Sequence, residues 1–135
     1  MRLKRVKGLG GMLMTDVASI SNNLMQSDPN ITATALVGMN GGIIYQTQNW
    51  TIQGQDIISA FTSKSPSVVV QGIKYSTINA TQDRMIATNI QGMGHLVVAA
   101  VGQKALFICY LTSQGSPQSA YIAADRAARE INKII

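Results

Sequence analysis

Two apolar runs constrain this chain more than any other feature. HLVVAAV at 95–101 and KALFICYLT at 104–112 are apolar on consecutive residues, not on alternate ones, and Gly102-Gln103 lies between them. A strand with one wet face alternates apolar and polar side chains, whereas a strand covered on both faces does not. The two runs therefore read as neighbouring antiparallel strands in a sheet with helices on both sides, and the rest of the chain has to supply those helices.

Three segments qualify. Residues 8–27 carry Leu13, Val17, Ile20 and Leu24 at i, i+4, i+7 and i+11, one helical stripe that Leu9 extends backward. Asp28-Pro29-Asn30 stops it. Residues 51–63 form a shorter helix with Ile57, Ile58 and Phe61 as its apolar patch, Asn49 or Thr51 as its cap, and Asp56 near its positive end. The third helix starts at Ser116 as N-cap with Pro117 in the first turn, and its stripe is Ala120, Ala124, Ala127 and Ile131. A stripe of alanines lets a helix lie close on its sheet. Asp125 and Arg129 add an i, i+4 ion pair worth about 0.2–0.5 kcal/mol.

Between the helices the chain reads as strands. Asn40-Gly41-Gly42 joins strands at 32–39 and 42–48, and Asn-Gly predicts a type I′ hairpin. Residues 67–80 read as one long strand with a bulge at Gly72, followed by 84–90 and the two apolar runs. Hairpins dominate, so the class is α+β: an antiparallel sheet of five to six strands with helices on both faces, in the order α-β-β-α-β-β-β-α. At 135 residues and 46% hydrophobic content this is one domain with a real core, residues 8–135, behind a basic tail at 1–7.

That tail carries Arg2, Lys4, Arg5 and Lys7, four of the 11 basic residues behind the net charge of +5. Without them seven basic residues face six acidic ones, so the body is nearly neutral. A nucleic-acid partner is not expected, because such modules spread cations over a face. The tail reads as a solvated terminus, with a weak contact to an anionic membrane or an acidic partner as the alternative. No secretory apolar block precedes the first helix and no run approaches membrane-spanning length, so a soluble cytoplasmic protein is expected.

Catalytic chemistry is scarce. One cysteine, Cys109, sits in an apolar strand and reads as a buried inert thiol. One histidine, His95, reads as structural or surface, and a triad needs more than a lone imidazole. The six carboxylates fall mostly at helix starts and turns. Gly8-Leu9-Gly10-Gly11 and Gly92-Met93-Gly94 complete no phosphate-binding loop. No catalytic residue, cofactor or metal site is expected. Met12, Met14 and Met25 exceed what one core stripe of the first helix can hold, so part of that helix reads as core filling or as soft apolar surface for a partner. Trp50 reads as a staple for the second helix or as an exposed anchor.

The succession ALVGMNGGIIYQT, a short helix, then DRMIATNIQGMGHLVVAAVGQKALFICYLTSQGSPQSAYIAADRAAREI resembles the Roadblock family over nearly the whole chain. That resemblance implies a non-enzymatic adaptor or scaffold that binds a small Ras-like GTPase or activates it. It also implies a homodimer, or a heterodimer with a paralogue, made by pairing the strand after the middle helix with its mate while the middle helices pack together. Here that interface would use Gln53, Ile57, Ala60, Phe61, Lys64, Val68, Val70 and Tyr75. Profilin-like and longin-like modules, which bind cytoskeletal or trafficking partners, share this element order and are the alternative.

Overall fold

The computed structural model describes residues 16–135. The basic tail, the glycines at 8, 10 and 11, Leu9, Met12, Leu13 and Met14 lie outside the described residues.

Helix α1 (Val17–Ser27) opens at Asp16, whose carboxylate accepts the Ser19 N–H at 2.8 Å. Hydrogen bonds from Ser19, its backbone first, hold the Asp16 carboxyl below its ordinary value. A depressed carboxyl stabilises the fold above its unfolded value, and that contribution is lost as pH falls through the lower folded one. Asp16→Ala should therefore cost about 1 kcal/mol at neutral pH. Thermal melts of both proteins should show the gap closing in acid.

After Asp28 the chain enters β1 (Ile31–Gly38), turns, and returns as β2 (Ile43–Gln46). The hairpin lies where Asn-Gly placed it, but only Gly41 is left-handed (φ 89°). Asn40 instead accepts the Gly42 N–H on its side-chain oxygen at 2.9 Å, so this is not a type I′ turn. Helix α2 (Gly54–Ser63) starts later than 51. Asn49, expected as a cap, instead donates to the Thr32 carbonyl at 2.9 Å, and Gln53 holds the cap position without a side-chain bond. Gly54 is there because nothing larger fits: a Cβ would collide with the Gly41 carbonyl oxygen and lie 2.9 Å from a Val37 methyl. Gly54→Ala should destabilise by about 1–3 kcal/mol despite alanine's better helix propensity. Urea titration measures it.

Residues 67–80 are two strands, not one. Gln71 (φ 50°) and Gly72 (φ 79°) are both left-handed and turn β3 (Ser67–Val70) back onto β4 (Ile73–Ala80). Two positive φ values in a two-residue loop give the primed turn that matches strand twist. The expected bulge sits elsewhere, between Thr77 and Asn79 of β4. Then follow β5 (Arg84–Thr88), β6 (His95–Val101), β7 (Ala105–Leu111) and α3 (Pro117–Asn132). The α+β class with helices on both faces holds, but the sheet has seven antiparallel strands, in the order β2-β1-β7-β6-β5-β4-β3.

The sheet curls. Helix α2 packs on both β1 and β3, although four strands separate them in the sheet. It fills the concave side with Ile57, Ile58 and Ala60, joined by Trp50 and Ile52. On the other side α1 and α3 cover β1, β7 and β6. The alanine stripe is buried as expected, with Ala128 added to it. A buried hydroxyl pair, Ser21 with Thr34 at 2.5 Å, ties α1 to β1. Phe107, fully buried on β7, belongs to this second core. Among the described residues no helix is long and apolar enough to cross a membrane.

Candidate interaction face

Helices α1 and α3 cover only part of their side of the sheet. On β5, Ile86 packs into the α1–α3 core and Arg84 lies against α3, whereas the outer faces of β4 and β3 beyond it carry no helix. Val68 and Val70 enter the concave core, so alternation turns Val69 outward, where it is 52% exposed. Its cross-strand partner Lys74 is also exposed. The bulge in β4 pushes Ile78 out of register, 61% exposed. On α3, Ile122 is equally exposed and stands one turn after Gln118. Large apolar side chains on a built, rigid face mark a place where another surface is bound.

A cleft of about 540 Å³ runs between β4–β5 and the start of α3, lined by Ile78, Asn79, Arg84, Ile86, Ser116, Pro117 and Gln118. The Arg84 guanidinium lies over the Tyr121 ring, 5.1 Å from its centroid. Its buried Nε has no hydrogen-bond partner among the described residues. The Tyr121 hydroxyl donates to Asp125 at 3.5 Å, and Asp125 pairs with Arg129 at 3.0 Å. Burial, then Asp125, raises the Tyr121 phenol above its ordinary value.

The loop between β5 and β6 is built around Asn89, whose side-chain oxygen accepts the Gln91 and Met93 N–H groups at 2.8 and 3.1 Å. It presents Ile90, 85% exposed, and Met93, 50% exposed. The Tyr110 hydroxyl donates to the Met93 carbonyl at 2.8 Å. So Gly92-Met93-Gly94 shapes a presenting loop. His95 is structural: its Nδ1 lies 2.8 Å from the Thr88 hydroxyl, and its other nitrogen 3.4 Å from the Ser113 carbonyl. Cys109 is fully buried and its thiol is pushed well up by desolvation, which keeps it protonated. Around Arg84, Ile78, Ile86 and Pro117 make the cleft largely apolar.

The residues assigned from the sequence to a dimer interface lie elsewhere. Ile57, Ala60, Val68, Val70 and Tyr75 are buried in the chain's own concave core. Burial, then Tyr110, pushes the Tyr75 phenol up to about 12. Phe61 is half-buried beside Met39 and Leu106, Gln53 is the exposed N-cap of α2, and Lys64 is its left-handed C-cap (φ 52°). The strand after α2 is indeed an edge, but because the sheet curls over α2, that helix turns its apolar stripe inward. Trp50 is buried in the same core, so it is not an exposed anchor, and with Gln53 as N-cap the staple position falls to Ile52. Of the first-helix methionines within the described residues, Met25 is partly buried against the α1–α3 core. Missed in the sequence were Val69, Ile78, Arg84 and Ile122. Two signals were readable: Ile122 lies off the alanine stripe, and Ile78 breaks the parity of Ile73 and Tyr75.

A curled antiparallel sheet, two helices side by side on one face and one in its hollow, with exposed apolar side chains on its outer strands, defines a small α+β module among the described residues. The chain belongs to the profilin family, whose model matches residues 15–134. Odin profilin of Odinarchaeota yellowstonii is 43% identical over 116 residues, covering 86% of this chain and 96% of that protein. Among solved structures, LokiProfilin2 in complex with rabbit actin matches with a TM-score of 0.79 and 29% identity, covering 90% of this chain and all (100%) of the other. LokiProfilin1, also in complex with rabbit actin, matches with a TM-score of 0.79 and 26% identity, over 93% and 100% of the two chains.

These matches correct the Roadblock reading. With it go the Ras-like GTPase partner and the homodimer or paralogue heterodimer, which rested on that resemblance alone. The two families share an element order, and hydrophobic pattern follows order. The Gln71-Gly72 hairpin, which a Gln-Gly pair announces poorly, adds the seventh strand that the sequence reading lacked.

Proposed function

We propose that this chain is an actin-binding protein that acts by association, with no catalytic step. The observation that carries this reading is its likeness, along nearly its whole length, to two profilins solved in complex with rabbit actin. The bare face of β3 and β4, with the cleft between β5 and α3 and the exposed side of α3, is the surface we assign to the contact. It offers Val69, Ile78 and Ile122 as apolar contacts, and the described chain has no element to cover them. A cytoplasmic location, expected from the sequence, accords with an actin partner. Of the two alternatives read from the sequence, the cytoskeletal one stands.

Titration of labelled rabbit actin with the full chain tests the reading. A saturable complex is the expected result. Absence of binding at concentrations a hundredfold above about 1 µM, the middle of the usual protein–protein range, would overturn it.

A further inference from the structure

We propose that Arg84, held on the Tyr121 ring, is the charge anchor of this face, and that an acidic side chain of actin enters the cleft to pair with it. The inference rests on the actin reading and adds to it the chemistry of the contact. Arg84 is half-buried at the cleft wall; its Nε is closed off and meets no acceptor among the described residues, so an incoming carboxylate meets the guanidinium at its terminal nitrogens. A buried donor without a partner is costly, and an arginine fork is shaped for a carboxylate.

Among the described residues no acid fills that role. Asp83, next in sequence, accepts the Thr81 hydroxyl at 2.8 Å, and its charge, with that of Asp125, is felt at the Tyr121 hydroxyl; it does not line the cleft. Asp125 is held by Arg129 and Tyr121. Among the described residues no carboxylate lines the cleft, and the first turn of α3, at its edge, has no acidic residue. The positive end of a 16-residue helix is therefore not neutralised by a side chain there, and it adds to the field of Arg84. Lys74 on the same face has the same sign. Around the cation, Ile78, Ile86 and Pro117 give apolar walls that exclude water once a partner is seated, the setting in which arginine dominates an interface. Tyr121 is then a positioning residue: its ring fixes the plane of the fork, and the Tyr121–Asp125–Arg129 chain fixes the ring.

The test is a titration of rabbit actin with wild type, Arg84→Gln, Arg84→Lys, Tyr121→Ala and the Arg84→Gln/Tyr121→Ala double variant at two salt concentrations. Arg84→Gln should weaken binding about tenfold to a hundredfold and flatten the salt dependence. Arg84→Lys should recover only part of the affinity, because an ammonium neither forks nor stacks in the same way. Tyr121→Ala should weaken wild type but change little in the Arg84→Gln background, since both act through one contact. Unaltered affinity of a folded Arg84→Gln protein would overturn the inference while leaving the actin reading intact. If Arg84→Gln does not fold, Arg84→Lys decides, and affinity equal to wild type overturns it. If wild type itself does not bind, the actin reading falls and the inference falls with it.

Discussion

Ile78→Asp should weaken binding to rabbit actin about thirtyfold to a hundredfold and leave the melting temperature nearly unchanged. Ile78 is 61% exposed at a bulge in β4, so its replacement removes little from the core. Burying an isoleucine at an interface contributes about 1.5–3 kcal/mol, and an aspartate there must also be desolvated beside other apolar groups. Each 1.4 kcal/mol is about a factor of ten in affinity. The control is Ile44→Asp. Ile44 is 53% exposed but lies on β2, the opposite edge of the sheet. Its affinity should stay within about twofold of wild type, inside the usual spread for surface substitutions away from the contact. Equal losses at both positions would show a general effect of added negative charge and not a defined face.

Phe107→Ala should cost about 3–5 kcal/mol. Phe107 is 0% exposed on β7, in the middle of the sheet, beneath the α1 and α3 layer. Removing its ring leaves a cavity among well-packed neighbours. A domain of this size has only about 5–15 kcal/mol in total. The same loss corresponds to a melting temperature lower by roughly 10–20 °C. Urea unfolding with an unchanged slope measures it cleanly. A loss below about 1 kcal/mol would mean that this face of the sheet is not the tightly covered core described here.

Much of this fold was legible because its strongest signals are physical necessities. Consecutive apolar residues at 95–101 and 104–112 demanded cover on both faces, and the structure supplies it. Ser116-Pro117 and the alanine stripe gave α3 closely, and Asp125–Arg129 pair as the spacing predicts. The Gln71-Gly72 turn was hidden because glutamine rarely adopts positive φ, so nothing marked the position as a hairpin. That miss cost a strand. The face was harder still. Which strands α3 leaves bare depends on where the helix crosses the sheet, and that is set by tertiary packing rather than local pattern. A stripe such as Ile57, Ile58 and Ala60 reads the same whether it packs inward or against a partner; only the curl of the sheet decides.

On the reading proposed above, actin seats on the bare faces of β3 and β4, the β5–α3 cleft and the exposed side of α3. Methyl NMR on isoleucine-labelled protein, titrated with rabbit actin, addresses it directly. The Ile78 and Ile122 methyl signals should shift or broaden at substoichiometric actin, while those of Ile43 and Ile44 on β2 stay in place. Perturbation confined to Ile43 and Ile44, or none at any isoleucine under conditions where the complex forms, would contradict the account.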